Sequence, residues 1–301
     1  MKRRVIPKAL VPATPKNMLV FDCNGICWGA YHALPNLSHK EQCTAIIYGF
    51  LNTLFHIQKS EMADTLVFVW DDTAPYCKRT EYYPEYKIKR KTTRKEMTKP
   101  EKEEFARIVK QFSQLKDEIL PELGFSNIFS QEGYEGDDII ASIVRSNPKA
   151  RIKLICRDGD LLQMINSRVT MFDWQQNLLM NEEYVFSTYG VYPDRWADVK
   201  SLAGCPTDEI PGLPSIGYGR AATYLNGKMK PTSTFYSTIV NGKETIEFTR
   251  KLVTLPFDGV STFTLHEDTC KVNKLKRVAR VWGLNSYTVF GRIKDYIECF
   301  C

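Results

Sequence analysis

The sequence predicts an α/β fold built on a central, mostly parallel sheet, with a smaller helical region following it. Three observations carry that prediction. Short apolar runs at Met18–Phe21, Thr65–Trp70 and Arg151–Cys156 have the length and the Val, Ile, Leu and Phe content of buried strands. Helical spacing and helix-start signals lie between them. Each run also ends on acid: Asp22, Asp71 and, through Arg157, Asp158 and Asp160. If the strands lie parallel, their carboxyl ends share one edge of the sheet, which is where open α/β folds place their sites.

Taken in order, residues 1–16 form a basic, proline-containing tail ahead of the first strand. From Glu41 to Gln58, Ala45, Ile46, Phe50, Leu51, Leu54 and Phe55 recur at helical spacing. The second strand then ends at Asp71. From Lys87 to Lys99 almost nothing is apolar, so this stretch cannot belong to a core. Thr98-Lys-Pro-Glu101 is a capping-box pattern with an early proline, and Phe105, Ile108, Val109, Phe112 and Leu115 share one face, so a long helix starts near residue 99. Another helix begins near Tyr134, with Glu135, Asp137 and Asp138 in or before its first turn and Ile139, Ile140 and Ile143 after them. Read alone, such a turn is also what a helix dipole favours.

Thr170–Trp174 reads as a further strand, and Tyr189–Asp194 as a loop opening a helix. Beyond Ala203 the composition changes: Gly204–Ala222 is dense in Gly and Pro, and a helical subdomain is expected from 201 to 301. Residues 225–301 carry little readable chemistry.

The formal charge is +6 although the sheet edge is acidic, so positive charge must concentrate elsewhere. That separation suits a polyanionic partner, although a weakly basic protein without one fits the charge alone equally well. Nine cysteines at non-zinc spacings favour a reducing compartment. No apolar stretch reaches the roughly 18 residues of a membrane span, and the N terminus lacks a signal-peptide apolar stretch. Both fit a cytoplasmic protein, host cytoplasm included. Carboxylates gathered at one edge repel one another unless cations sit among them, and hard oxygen ligands favour Mg²⁺ or Mn²⁺.

In sequence order, Val20-Phe-Asp22-Cys-Asn24, Phe68-Val-Trp-Asp71 continuing through Arg79 to Tyr83-Pro-Glu-Tyr86-Lys87-Ile-Lys-Arg90, Tyr134-Glu135-Gly-Asp137-Asp138 and Asp158-Gly-Asp160-Leu-Leu-Gln163 resemble the motifs of the 5′ nuclease family: flap endonucleases, phage 5′ to 3′ exonucleases and the 5′ nuclease domain of bacterial DNA polymerase I. The resemblance runs from about residue 18 to 225. It implies a three-layer, PIN-like nuclease domain over 17–200, with an arch at about 87–117 and a helix-hairpin-helix subdomain after it. It also implies two divalent ions. Asp22, Asp71 and Glu135 would hold the first, Asp158, Asp160 and Asp208 would surround the second, Asp137 would lie between them, and Asp138 completes the acidic set. Lys87 and Arg90 would meet the scissile phosphate. Arg79, Tyr86, Lys91, Arg94 and Lys95 are expected to contact DNA, and Tyr82 and Tyr83 to pack or stack on bases. Ile210–Ala222 resembles the family's hairpin, where Gly212, Gly217, Gly219 and Arg220 would grip duplex phosphates, often with a monovalent cation such as K⁺.

The implied activity is hydrolysis at 5′ ends, flaps or branches of DNA, or of RNA primers in RNA/DNA hybrids, by a monomer acting in replication or repair. One departure stands out. Cys205 occupies a position where the family carries aspartate, in Gly204-Cys205-Pro-Thr-Asp208-Glu209. Sulfur is a poor Mg²⁺ ligand, so the second ion is expected to bind more weakly, with Glu209 or water as substitutes. The same departure supports a rival reading, a non-catalytic DNA-binding member of the fold. A small-substrate ribonuclease is a third, disfavoured by the arch and hairpin. Asp72, where glycine is common, is a lesser departure.

Overall fold

A computed structural model describes residues 17–34, 37–39, 42–72, 77–288 and 292–300; the N-terminal tail lies outside them. Six strands form the main sheet: β1 (Asn17–Asp22), β2 (Thr65–Val69), β3 (Ile128–Phe129), β4 (Arg151–Ile155), β5 (Val169–Asp173) and β6 (Leu178–Met180). Their order is β3-β2-β1-β4-β5-β6. The first five are mutually parallel and β6 is antiparallel at the edge. The register pairs Phe21 with both Phe68 and Ile155, so the three acidic strand ends emerge side by side.

Strand alternation builds three layers. Met18, Val20, Val67, Val69, Ile152 and Leu154 face the helix Gly136–Ser146. Leu19, Phe21, Leu66, Phe68 and Ile155 face the opposite layer, which contains the helices Cys23–Ala33 and Ala45–Glu61. Phe21 and Phe68 stack at 5.4 Å between centroids across neighbouring strands. Burying each such side chain contributes about 1.5–3 kcal/mol.

The basic stretch is helical over Ile88–Glu96, and none of its residues is buried, in keeping with a sequence that offers no anchor. The next helix, Lys99–Gln114, begins at the expected capping box between Thr98 and Glu101. Its apolar stripe docks on the first helix, where Trp28 meets Phe105 at 6.1 Å and Phe112 at 5.5 Å. The two successive helices thus make one solvated and one anchored arm.

The expected boundary at residue 200 is not a break in packing. Leu213, Ile216, Ala221, Ala222 and Ile239 belong to the same hydrophobic cluster as Val20 and Leu154. Beyond helix Lys243–Val253 the chain returns along the nuclease layer, with Arg145 donating to the Leu255 carbonyl (2.6 Å), Ser142 to that of Ser261 (2.6 Å) and the Thr269 amide to that of Gly124 (2.7 Å). The helix Val272–Trp282 and the final helical segments then join the other core layer through Leu275, Val278, Tyr287 and Tyr296. The C-terminal third therefore contributes to both core layers of the body.

Candidate metal centre

The end of β1 becomes the start of a helix at Asp22, whose carboxylate caps it by accepting from the Gly25 amide at 3.1 Å. Asn24, in that first turn, accepts from the Asp71 amide at 3.1 Å and so ties the ends of β1 and β2 together. Asp71 in turn accepts from the Gly136 amide at 2.8 Å, which fixes the start of the third acidic motif beside it. Asp137 accepts the Asp138 amide at 2.8 Å. Asp158 accepts the Asp160 amide at 2.8 Å in the turn after β4.

These carboxylates disturb one another. Burial, then Asp71 and Asp158, push the Asp22 carboxyl up to about 7. Burial also raises Asp71, with Glu135 and Asp158 adding to it. Asp137 is held well above the usual range by burial and then by Asp138, against Arg79. Among the described residues no ion pair reaches Asp22, Asp71, Asp137 or Asp158.

The remaining acids are matched by basic side chains. Glu135 accepts from Lys87, from Arg79 at 3.2 Å and from the Tyr86 hydroxyl at 2.5 Å. Burial pushes Glu135 up, but Lys87 and Arg79 outweigh it and hold the group below its usual range. Asp208 pairs with Arg90 at 2.7 Å and lies 3.8 Å from the Lys87 ammonium. Asp160 pairs with Lys200, a buried ammonium. Lys200 and Trp196 lie one turn apart on the helix Trp196–Ala203, and the Trp196 indole donates to the Gly159 carbonyl at 2.7 Å, so this helix clamps the Asp158–Asp160 turn. Gln163 secures the turn from the other side, donating to Asp160 and Val253 carbonyls at 2.8 and 3.1 Å. Neither Trp196 nor Lys200 was singled out from the sequence. Their i, i+4 spacing places them on one helix face, but no local signal marks the turn they reach.

Several expected roles are corrected. Asp138 is fully buried, with both oxygens on Arg79 (2.6 and 2.8 Å) and one also on the Phe257 amide (2.7 Å), so it anchors structure rather than facing an ion. Arg79 and Tyr86 are each 3% exposed, which closes both to DNA. Tyr82 and Tyr83 pack against Phe248 at 5.2 and 5.3 Å. Gly212 lies so close to the end of the preceding helix that a Cβ there would sit 2.1 Å from the Ala203 carbonyl; it permits packing instead of a phosphate contact. Cys205 is buried in an apolar cluster with Tyr86, Ile210, Leu252 and Val253, and its sulfur touches the Thr207 hydroxyl at 3.2 Å.

Other residues stand where a nucleic acid can reach them. Lys91, Arg94 and Lys95 are exposed on the solvated arm. Gly217 and Gly219 are exposed, with open space over each, at the start of the helix Tyr218–Leu225. Arg220 is exposed too, held by the Ser215 carbonyl at 2.5 Å and over the Phe235 ring at 3.8 Å.

Among the described residues no group of three or more His, Cys, Asp or Glu side chains is arranged to hold an ion directly. The donor set nevertheless fits hard dications. Asp22, Asp71 and Asp137 are crowded carboxyls that, among the described residues, make no ion pair, and the repulsion that raises them is the condition a bound ion relieves.

A mostly parallel sheet that gathers carboxylates at its strand ends, met by Lys87 and Arg90 at the start of a basic helix, has the make-up of an acidic-cluster nuclease of the α/β class. The family described as 5′-3′ exonuclease, N-terminal resolvase-like domain, matches residues 17–190, and the chain belongs to that family. It is 30% identical over 280 residues to the 5′-3′ exonuclease of Aquifex aeolicus, covering 87% of this chain and 90% of the relative. It is 29% identical to the DNA polymerase I of Mycobacterium tuberculosis over 69% of this chain, and spans only 22% of that protein's length. Among solved structures, T5 5′-exonuclease with bound zinc superposes with a TM-score of 0.69 at 19% identity, covering 95% of this chain and all of the other. The T5 flap endonuclease in a pseudo-enzyme–product complex with DNA and metal ions gives 0.68 at 19% identity, over 94% and 99% of the two chains. The mostly parallel, PIN-like architecture expected from the sequence is thereby confirmed.

Proposed function

We propose that the chain is a structure-dependent 5′ nuclease that hydrolyses phosphodiester bonds at 5′ ends or 5′ flaps of DNA, using Mg²⁺ or Mn²⁺, in replication or repair. The observation that carries this reading is the crowding of Asp22, Asp71 and Asp137 at the carboxyl edge of the sheet, where each carboxyl is pushed upward and, among the described residues, none is in an ion pair. Asp22, Asp71 and Asp137 would hold the first ion, with Glu135 reaching it directly or through water. Asp158, Asp160 and Asp208 would surround the second. When bound, such ions lower the pKa of an attacking water and stabilise the leaving oxygen of an in-line displacement.

The chain's own residues supply the rest. Lys87 and Arg90 bridge Glu135 and Asp208. They stand ready to exchange those carboxylates for the phosphoryl oxygens of a substrate, where an ammonium and a guanidinium offset developing charge. Lys91, Arg94 and Lys95 draw a single strand toward the cluster through its backbone. Gly217 and Gly219 leave room for a duplex phosphate at the start of their helix, with K⁺ as the monovalent companion. The product carries a 5′ phosphate. T5 flap endonuclease bound to DNA and metal ions supports this reading by analogy.

Incubating the purified chain with a 5′-flap duplex and Mg²⁺, beside Asp137→Asn and Asp158→Asn, tests it. Metal-dependent cutting that both variants lose supports the enzyme; tight binding without cutting supports the non-catalytic alternative. Blocking the 5′ end tests threading, and an RNA-primed flap tests primer removal.

A further inference from the structure

We infer that Arg79 is a positioning residue that holds Glu135 in place and locks it to the return segment Leu252–Phe257, an inference that rests on the nuclease reading above. Its guanidinium is interior, so any influence on the reaction passes through the groups it touches. Nε donates to the Leu252 carbonyl at 3.0 Å. One terminal nitrogen donates to Asp138 at 2.6 Å and to Glu135 at 3.2 Å, and the other to Asp138 at 2.8 Å. The guanidinium carbon lies 5.0 Å from the centre of the Phe257 ring and 5.8 Å from that of Tyr86.

Asp138 closes the circuit by accepting the Phe257 amide at 2.7 Å. One planar fork thus joins the short helix Lys78–Tyr82, the start of helix Gly136–Ser146 and the segment that leaves helix Lys243–Val253. Glu135 Oε2 is held by Arg79 and by the Tyr86 hydroxyl. Oε1 takes Lys87 instead, so it is the oxygen that Arg79 leaves to be turned toward an ion or an ion-bound water. Lysine carries the charge but cannot reproduce a fork that donates in three directions.

Arg79→Lys tests this on the full chain, read by Mn²⁺ binding from the paramagnetic resonance of free ion, DNA binding without divalent ions, steady-state cleavage, and hydrogen exchange at the Phe257 amide. Partners that orient a metal ligand are commonly worth 10–100-fold in metal affinity or activity. Arg79→Lys should therefore weaken the first Mn²⁺ and lower kcat by about 10–100-fold, speed exchange at Phe257, and leave DNA affinity unchanged. Weaker DNA binding with intact Mn²⁺ affinity would make Arg79 a substrate contact and overturn the assignment. A lower melting temperature with Mn²⁺ affinity and kcat intact would make it merely structural.

Pairing Arg79→Gln with Asp138→Asn replaces the ion pair by two amides. Partial recovery of Mn²⁺ affinity over the single variants is expected, whereas strictly additive losses would make Asp138 a ligand and sink the proposal. A wild-type chain that binds Mn²⁺ but does not cut DNA sinks the nuclease reading alone. An Arg79→Lys chain with full Mn²⁺ affinity sinks the Arg79 assignment alone.

Discussion

The two halves of the acidic cluster solve the same electrostatic problem differently. Around the ends of β1 and β2, the hydrogen bonds to Asp22, Asp71 and Asp137 come from backbone amides, no ion pair reaches them among the described residues, and their carboxyls are pushed upward. Around the end of β4 and the hairpin, Asp160 and Asp208 are met by Lys200, Arg90 and Lys87, cations the chain itself supplies. The first half therefore needs charge from solution, whereas the second is already partly neutralised. This contrast agrees with the expectation, drawn from Cys205, that two ions would bind with unequal affinity.

The largest effect that can break the contrast is catalytic. Asp22→Asn and Asp137→Asn should each lower metal-dependent flap cleavage by about 10²–10³-fold or more, since on the proposed reading each removes a charge that would hold the activating ion; single-turnover assays in Mg²⁺ measure it. Lys200→Met should act on the other half through the fold. It leaves Asp160 without its ammonium, and removing one partner of a largely buried pair costs about 3–5 kcal/mol, to be read from denaturant unfolding. An unchanged midpoint would show that Lys200 is not what steadies the second half.

The pH dependence of the metal-free chain follows from Asp22. Its folded pKa of about 7 exceeds the ordinary 3.8, so its contribution is fully present below 3.8 and is lost as pH rises toward 7. Asp71 and Asp137 act in the same direction. A bound divalent ion restores what is lost, so Mg²⁺ should raise the melting temperature more at about pH 8 than at about pH 5 by scanning calorimetry. Calorimetric titration with Mn²⁺ should resolve a first ion at least about tenfold tighter than the second; two equally tight ions would erase the distinction between the halves. The smallest effect lies outside both. Lys95→Gln on the solvated arm should flatten the salt dependence of single-strand binding by about 0.7 in logarithmic slope, with kcat unaltered.

Much of this was legible in the sequence because short apolar runs and their terminal acids are local signals. The registers that bring Asp22, Asp71 and Asp158 to one edge follow once the strands are parallel. The long helix at residue 99 was legible for the same reason, since its cap and stripe lie within a few turns. Partnerships across the chain were not. Arg79 looks like a surface cation beside a basic run, and only the fold of residues 252–257 over it makes it internal. Asp138 and Asp137 are neighbours with identical chemistry, and helix phase alone sends one toward Arg79 and leaves the other among the cluster acids. Lys200 carries no local mark of its 40-residue reach to Asp160. Cys205 could be noticed as a substitution, but its apolar surroundings depend on Leu252 and Val253 arriving from a later helix.

The late helices that close over β1 and β2 have a practical corollary. Because Leu275, Val278, Tyr287 and Tyr296 complete the same apolar layer as Phe21 and Phe68, a fragment truncated at residue 200 would present that layer bare to water. The early and late parts of the chain thereby share their apolar layers, and melting should proceed in a single step instead of region by region.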